Sequence, residues 1–231
     1  MGTHVLDNPI WTALTTSQAH FAEGDGLARK FQAEIGPLAG FAEPIREAYN
    51  ALGKLVRVGA GAGLFLEAPA NVAEVESGGF RIVEQDSLLQ MIYSDCELPA
   101  SALDFVKLTA ADVPEMVALA TMMKPGPFTT RTRELGKFIG VRREGQLVAM
   151  SGERMRMPGY TEISAVCTHP NHLGHGYATA LMVELIGQIR RRDEIPFLHV
   201  RSGNSAISLY RRIGFAERRH FHFTVIGKTA S

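Results

Sequence analysis

The residues best suited to chemistry are consecutive: His169-Pro170-Asn171-His172-Leu173-Gly174-His175-Gly176-Tyr177-Ala178. An apolar run, Ile163-Ser164-Ala165-Val166-Cys167-Thr168, precedes them, and an amphipathic segment from Thr179 to Arg192 follows. That order reads as strand, glycine loop, helix. Such a loop aims backbone N–H groups and the positive end of a helix dipole at one place, which suits a phosphate. A tight turn with no ligand would have the same pattern. His169, His172 and His175 recur every third residue and invite a metal reading. Pro170 and Gly174 interrupt that run and no carboxylate ligand lies near. A polar rim is expected instead, with His175 close to the phosphate, and no metal.

The elements that must position this loop follow from periodicity. Toward the C-terminus, Phe138 to Arg142, Leu147 to Arg156 and Tyr160 to Thr168 read as strands, with hairpin signals at Glu144-Gly145 and Pro158-Gly159. Pro196 to Val200 reads as a buried strand, residues 204–212 as a helix capped by Gly214, and Arg219 to Ile226 as the last strand. Upstream, Phe105 to Leu108 is a short strand. Thr109 with Asp112 and Pro114 starts a helix that Lys124-Pro125-Gly126-Pro127 breaks, and a short helix is expected around Thr130 to Leu135. The order β, α, α, β, β, β, α, β, α, β from residue 103 onward predicts a mixed sheet with helices on its faces.

Before residue 103 the pattern changes. Pro9 suits the first turn of a helix with Asn8 as its cap, and Gly24-Asp25-Gly26 suits a turn. Residues 27–31 read as a short strand or a turn of helix, and Ala39 to Leu55 as a helix. Gly59 to Gly63 is a second glycine cluster. A nucleotide fingerprint needs a strand before and a helix after, whereas here Leu64-Phe65-Leu66 follows, so a turn into a strand is expected. Phe80 to Gln85 reads as a strand, and Leu88 to Tyr93 as strand or helix. Residues 95–102 read as a connection. The division expected is therefore 1–102, a smaller α/β accessory domain, and 103–231, a domain of mixed sheet and helices.

Bulk properties narrow the classes. The 231 residues are 45% apolar, enough for a substantial core. Lys plus Arg and Asp plus Glu each number 24, so no net charge draws the chain to nucleic acid or to anionic membranes. Cys96 and Cys167 lie too far apart in sequence for a metal-ligand pair, and a cytoplasmic setting is the default. Residues 1–11 show no signal-peptide pattern, and no apolar run approaches a spanning helix.

Residues 103–231 resemble a GCN5-related N-acetyltransferase (GNAT) domain. The carriers are Ile163 to Thr168 with His169-Pro170, then Gly174-His175-Gly176-Tyr177-Ala178, then Ala206-Ile207-Ser208-Leu209-Tyr210 with Gly214-Phe215. The family loop has Arg or Gln, two residues, Gly, one residue, then Gly or Ala. Gly176 and Ala178 fill the last places, but Leu173 stands at the Arg/Gln position. More narrowly, the region is similar to the FR47-like branch. Asn8-Pro9-x-Trp11 and residues 21–29 resemble the N-terminal domain accompanying it in bacterial predicted acetyltransferases.

The resemblance implies acetyl-CoA as co-substrate. Its phosphates would lie on Leu173, Gly174, His175, Gly176, Tyr177, Ala178 and Thr179. Its pantetheine would pair with the backbone of Val166, Cys167 and Thr168, with Asn204, Ala206 and Tyr210 alongside. Tyr210 would assist departure of the thiolate. Glu162 and Glu153 are candidate bases for the attacking amine. Asn204 sits one place later than the family's asparagine. Arg190-Arg191-Arg192 reads as cations at a helix C-terminus.

The expected function is transfer of an acetyl group to a primary amine, on a small molecule or a peptide, by direct attack. The alternative is an acyl-CoA sensor without turnover. The N-terminal domain would pack on the catalytic one, shape the acceptor site, or form a homodimer.

Overall fold

The computed structural model describes residues 4–94 and 103–230, so Cys96 and the connection expected at 95–102 lie outside the described residues. Helix α1 (Pro9–Thr15) begins at its proline as expected. Asn8 does not cap it: the side-chain amide donates instead to Phe41 C=O at 2.7 Å. Strands β1 (Ala22–Gly24), β2 (Ala28–Phe31) and β3 (Ala39–Phe41) form a small antiparallel sheet. The helix expected over residues 39–55 is thus a correction. Residues 39–41 pair with β2, and helix α2 (Arg46–Leu55) starts only after Pro44, which disfavours helical geometry in the residue before it.

Strand β4 (Gly61–Leu66) follows the second glycine cluster, as its apolar run predicts. Helix α3 (Val72–Ser77), unanticipated from periodicity, is capped by Asn71, whose side chain accepts from the N–H groups of Ala73 and Glu74. The two strand candidates after it are one strand, β5 (Phe80–Tyr93).

After β6 (Val106–Lys107) comes α4 (Val113–Met123). A capping box between Thr109 and Asp112 precedes it, and Lys124 in the left-handed region (φ 49°) ends it. Then come β7 (Phe138–Arg143), β8 (Gln146–Met157), β9 (Tyr160–Thr168), α5 (Tyr177–Arg190), β10 (Ile195–Arg201), α6 (Ala206–Arg212) and β11 (Phe215–Lys228).

These strands form one eight-stranded mixed sheet in the order β4-β11-β5-β10-β9-β8-β7-β6. The β9–β10 pair is parallel, with α5 as its crossover; every other pair is antiparallel. Strand β5, from the N-terminal half, lies between β10 and β11. Residue 102 therefore does not separate two sheets: both sides of it contribute strands to the same one.

Each face of the sheet is covered. On one, α5 buries Leu181, Leu185, Ile186 and Ile189 against Val148, Ile163 and Leu198, and Tyr210 of α6 joins this cluster. Each such aliphatic side chain contributes about 1.5–3 kcal/mol. On the other face, Leu6, Ile10 and Leu14 pack on Met155, Phe197 and Phe221, and α4 packs Met116 and Leu119 near Phe138, Met150 and Cys167. Among the described residues no helix is long and apolar enough to cross a membrane.

Candidate active site

Strands β9 and β10 pair only at Tyr160–Ile195, Thr161–Pro196 and Glu162–Phe197. Beyond Glu162 they part. The cause lies on the other edge of β9. Met150 faces Cys167 and Gly152 faces Ser164, so Ala165 and Val166 together oppose the single residue Ser151. This is a β-bulge, which bends a strand and sharpens its twist. Ala165 sits there with φ 53°, a conformation a non-glycine residue rarely adopts. Strand β10 is held on its far side by β5 from Phe197 to Arg201, so it does not follow β9 around the bend.

The gap exposes backbone. The N–H of His169 donates to Val148 C=O, which makes Ala149–Thr168 the non-hydrogen-bonded kind of antiparallel pair. The N–H and C=O of Thr168 consequently turn away from β8 and toward the gap. The Cys167 side chain belongs instead to the cluster under α4, and burial pushes its thiol up to about 12. Cys167 therefore contributes backbone here and has no reactive thiolate.

The glycine loop closes the end of the gap. Gly174 (φ 80°) and Gly176 (φ 74°) both take the left-handed conformation, and Gly176 is the residue before the first turn of α5. A Cβ at either would meet nothing within 4 Å, so the space over the loop is open. Among the described residues no protein group accepts from the N–H groups of residues 174–179. Leu173 is 59% exposed, its side chain carries no donor, and its N–H donates to Pro170 C=O at 3.4 Å. The loop can therefore hold an anion with backbone donors alone.

The histidines around it are committed separately. His169 Nδ1 accepts from the N–H of Asn171 at 3.2 Å. His175 Nδ1 faces the carbonyls of His172 and Leu173 at 3.2 and 3.0 Å, so that nitrogen carries the proton. The ring of His175 stacks on Tyr177 at 5.4 Å.

Tyr210 lies on the α5 face, 9% exposed. Burial pushes its phenol up to about 12, and its hydroxyl makes no hydrogen bond among the described residues. It is thus a protonated donor without a protein acceptor among the described residues. Asn204 Oδ1 accepts from Ala206 N–H at 2.8 Å, which caps α6 despite the one-residue offset.

The two carboxylates expected as bases are both engaged in ion pairs. Glu162 is fully buried on the face opposite Tyr210 and takes two hydrogen bonds from Arg154 (2.8 and 2.6 Å). It also accepts from Met155 N–H and from His199 Nδ1 at 2.8 Å. Burial alone would raise its pKa. The charge and hydrogen bonds of Arg154, with the His199 hydrogen bond, outweigh that and hold it at about 2. It is a fixed anion, too weak a base to accept a proton from an amine near neutral pH.

His199 is kept neutral by burial, and Glu162 only partly offsets that. The chain of contacts continues through Gln90 at 3.0 Å and Arg218 at 2.8 Å to Asp7 at 2.6 Å. Glu153 is bound to Arg192 at 3.0 Å, beyond the far end of α5, about 20 Å along the helix from the glycine loop. The rest of the basic run is also engaged at this end, Arg191 with Glu184 and Arg190 over the Tyr93 ring.

The structure thus gathers the backbone of Val166 to Thr168 and the loop 173–179 along one gap, with Tyr210 of α6 in the core cluster on the α5 face. Glu162 stands at the fork where β9 and β10 part, on the face opposite Tyr210, and Glu153 lies with Arg192 beyond the far end of α5. Two positioning features have no sequence signal: the bulge at Ala165, where glycine would have been the usual marker, and the insertion of β5 beside β10.

Known proteins share this fold. The FR47-like protein family matches residues 138–224. A GNAT-family protein from Novosphingobium aromaticivorans is 37% identical, with a TM-score of 0.88, over 99% of this chain and 100% of that one. A GCN5-related N-acetyltransferase from Kribbella flavida has a TM-score of 0.63 at 18% identity, over 98% of this chain and 95% of that one. A GCN5-related N-acetyltransferase-like protein from Streptococcus suis scores 0.55 at 15% identity, over 88% and 81% respectively. The last two likenesses concern the fold alone. No curated protein matches the chain.

Proposed function

The chain belongs to the GNAT family of acetyltransferases, and from that premise we propose that it moves an acetyl group from acetyl-CoA to a primary amine by direct attack. The observation that carries the reading is the parting of β9 from β10 after Glu162–Phe197, with the Thr168 backbone facing the gap and the glycine loop at its end. The unsatisfied N–H groups of residues 174–179 fit a pyrophosphate. The backbone of Val166 and Thr168 fits the pantetheine amides in the manner of an added strand.

Acetyl-CoA supplies an activated acyl group as a thioester. The chain's own contribution is positioning and electrostatics. Tyr210, protonated at neutral pH, donates a hydrogen bond to sulfur as negative charge grows there. Full transfer of its proton is uphill. A phenol near 12 against a thiol near 8.5 costs about 5 kcal/mol, so the hydrogen bond, rather than acid catalysis, is its role. No side chain is assigned as base, since Glu162 and Glu153 are both paired anions.

That last fact also favours the second reading, a protein that binds acyl-CoA without turnover. Release of free thiol from acetyl-CoA over a broad panel of amines separates the two. Amine-dependent release supports the transferase. Tight binding with no release across the panel supports the sensor.

A further inference from the structure

The loop that faces the proposed phosphate site has no side-chain cation of its own, because Leu173 stands where one would be expected. A cation from a different element stands against the side chain of Tyr177, the residue that follows the loop's last glycine. Arg143 ends β7, and its Nε donates to Tyr177 Oη at 2.9 Å. Its guanidinium carbon lies 5.0 Å from the centre of the Tyr177 ring, and Nη1 donates to Arg142 C=O at 2.9 Å.

Tyr177 is the first residue of α5, so its own N–H belongs to the unsatisfied set at the loop. The His175 ring stacks on it with 20° between planes. Arg143 and His175 therefore both contact the Tyr177 side chain at the start of α5. The neighbouring Arg142 is neutralised by Asp112 and Glu115. Arg143 has no carboxylate partner among the described residues. A half-buried guanidinium, aimed by a phenol and lacking an anion, suits a doubly hydrogen-bonded phosphate.

We infer that Arg143 binds a phosphate of the nucleotide end of coenzyme A, replacing from the β7–β8 hairpin the donor missing at Leu173. The inference rests on reading the gap as an acyl-CoA site. Titration calorimetry of the full chain with CoA and with dephospho-CoA tests it, on wild type, Arg143→Gln and Arg143→Lys, each checked by thermal melting.

Arg143→Gln is expected to weaken CoA by about tenfold or more, and Arg143→Lys to recover part of the loss. If the contact is to the ribose 3′-phosphate, Arg143→Gln also erases the preference for CoA over dephospho-CoA. If it is to the pyrophosphate, both ligands weaken alike; either result supports the contact. Unchanged affinity for both ligands overturns it. Arg143→Met repeats the comparison on a second background, so a folding defect in one variant leaves the test intact. Failure of the wild type to bind CoA would instead sink the acyltransferase reading itself.

Discussion

Replacing Tyr210 by Phe removes one oxygen and keeps the ring that packs in the α5 cluster. The hydroxyl has no hydrogen-bond partner among the described residues, so its loss leaves no protein group unsatisfied, and stability should change by less than about 1 kcal/mol. Turnover should change far more. A hydrogen bond to a group that becomes charged is worth about 1.5–3 kcal/mol, hence a fall in kcat of about 10- to 150-fold. CoA affinity should hold within about twofold, because the bond strengthens only as charge develops on sulfur. The assay is thiol release at saturating acetyl-CoA with an amine that the panel identifies, beside calorimetry of CoA. An unchanged kcat, or a fall matched by equal loss of CoA affinity, would refute the assignment.

Gly174→Asp places a carboxylate in open space over the loop, at a backbone φ of 80°. CoA affinity should fall by about tenfold or more from charge repulsion, and by less in Gly174→Asn, which has similar size and no charge; calorimetry of both variants checks this. With no paired side chain serving as base, kcat/KM should rise with pH along the acceptor amine's own titration, and an inflection independent of the amine used would point to an enzyme base. Acid should destabilise the fold. Glu162 is lowered from 4.5 to about 2, so its contribution of about 3 kcal/mol is present above pH 4.5 and lost as pH falls toward 2. His199 has the same sign: kept neutral below its usual 6.5, it costs stability as pH drops through that value. Urea midpoints that stay flat from pH 7 to 3 would contradict both.

The C-terminal elements were legible because each carries a local signal. The alternation in β7 to β9, the hairpin turns at Glu144-Gly145 and Pro158-Gly159, and the glycines before α5 all act within a few residues. The loop at residues 173–179 was legible for the same reason. Pairing partners were not, since β5 enters the sheet between strands more than 100 residues away in sequence, and only packing decides that. The helix expected from Ala39 shows apolar spacing losing to the small sheet that β3 completes. Glu162 and Glu153 are candidates from residue type and from the strands on which the resemblance places a carboxylate. Their partners Arg154, His199 and Arg192 lie on other stretches of chain, and ion pairing of that kind has no sequence spacing to read.

The proposed function requires coenzyme A to lie along the gap between β9 and β10, held chiefly by backbone. Hydrogen exchange with and without acetyl-CoA reads this directly, because the donors in question are amides. Slowed exchange at Val166, Thr168 and residues 174–179 is predicted. Protection that spares these amides and falls instead on the cavity lined by Lys30, Glu34, Leu55 and Arg57 would contradict that placement.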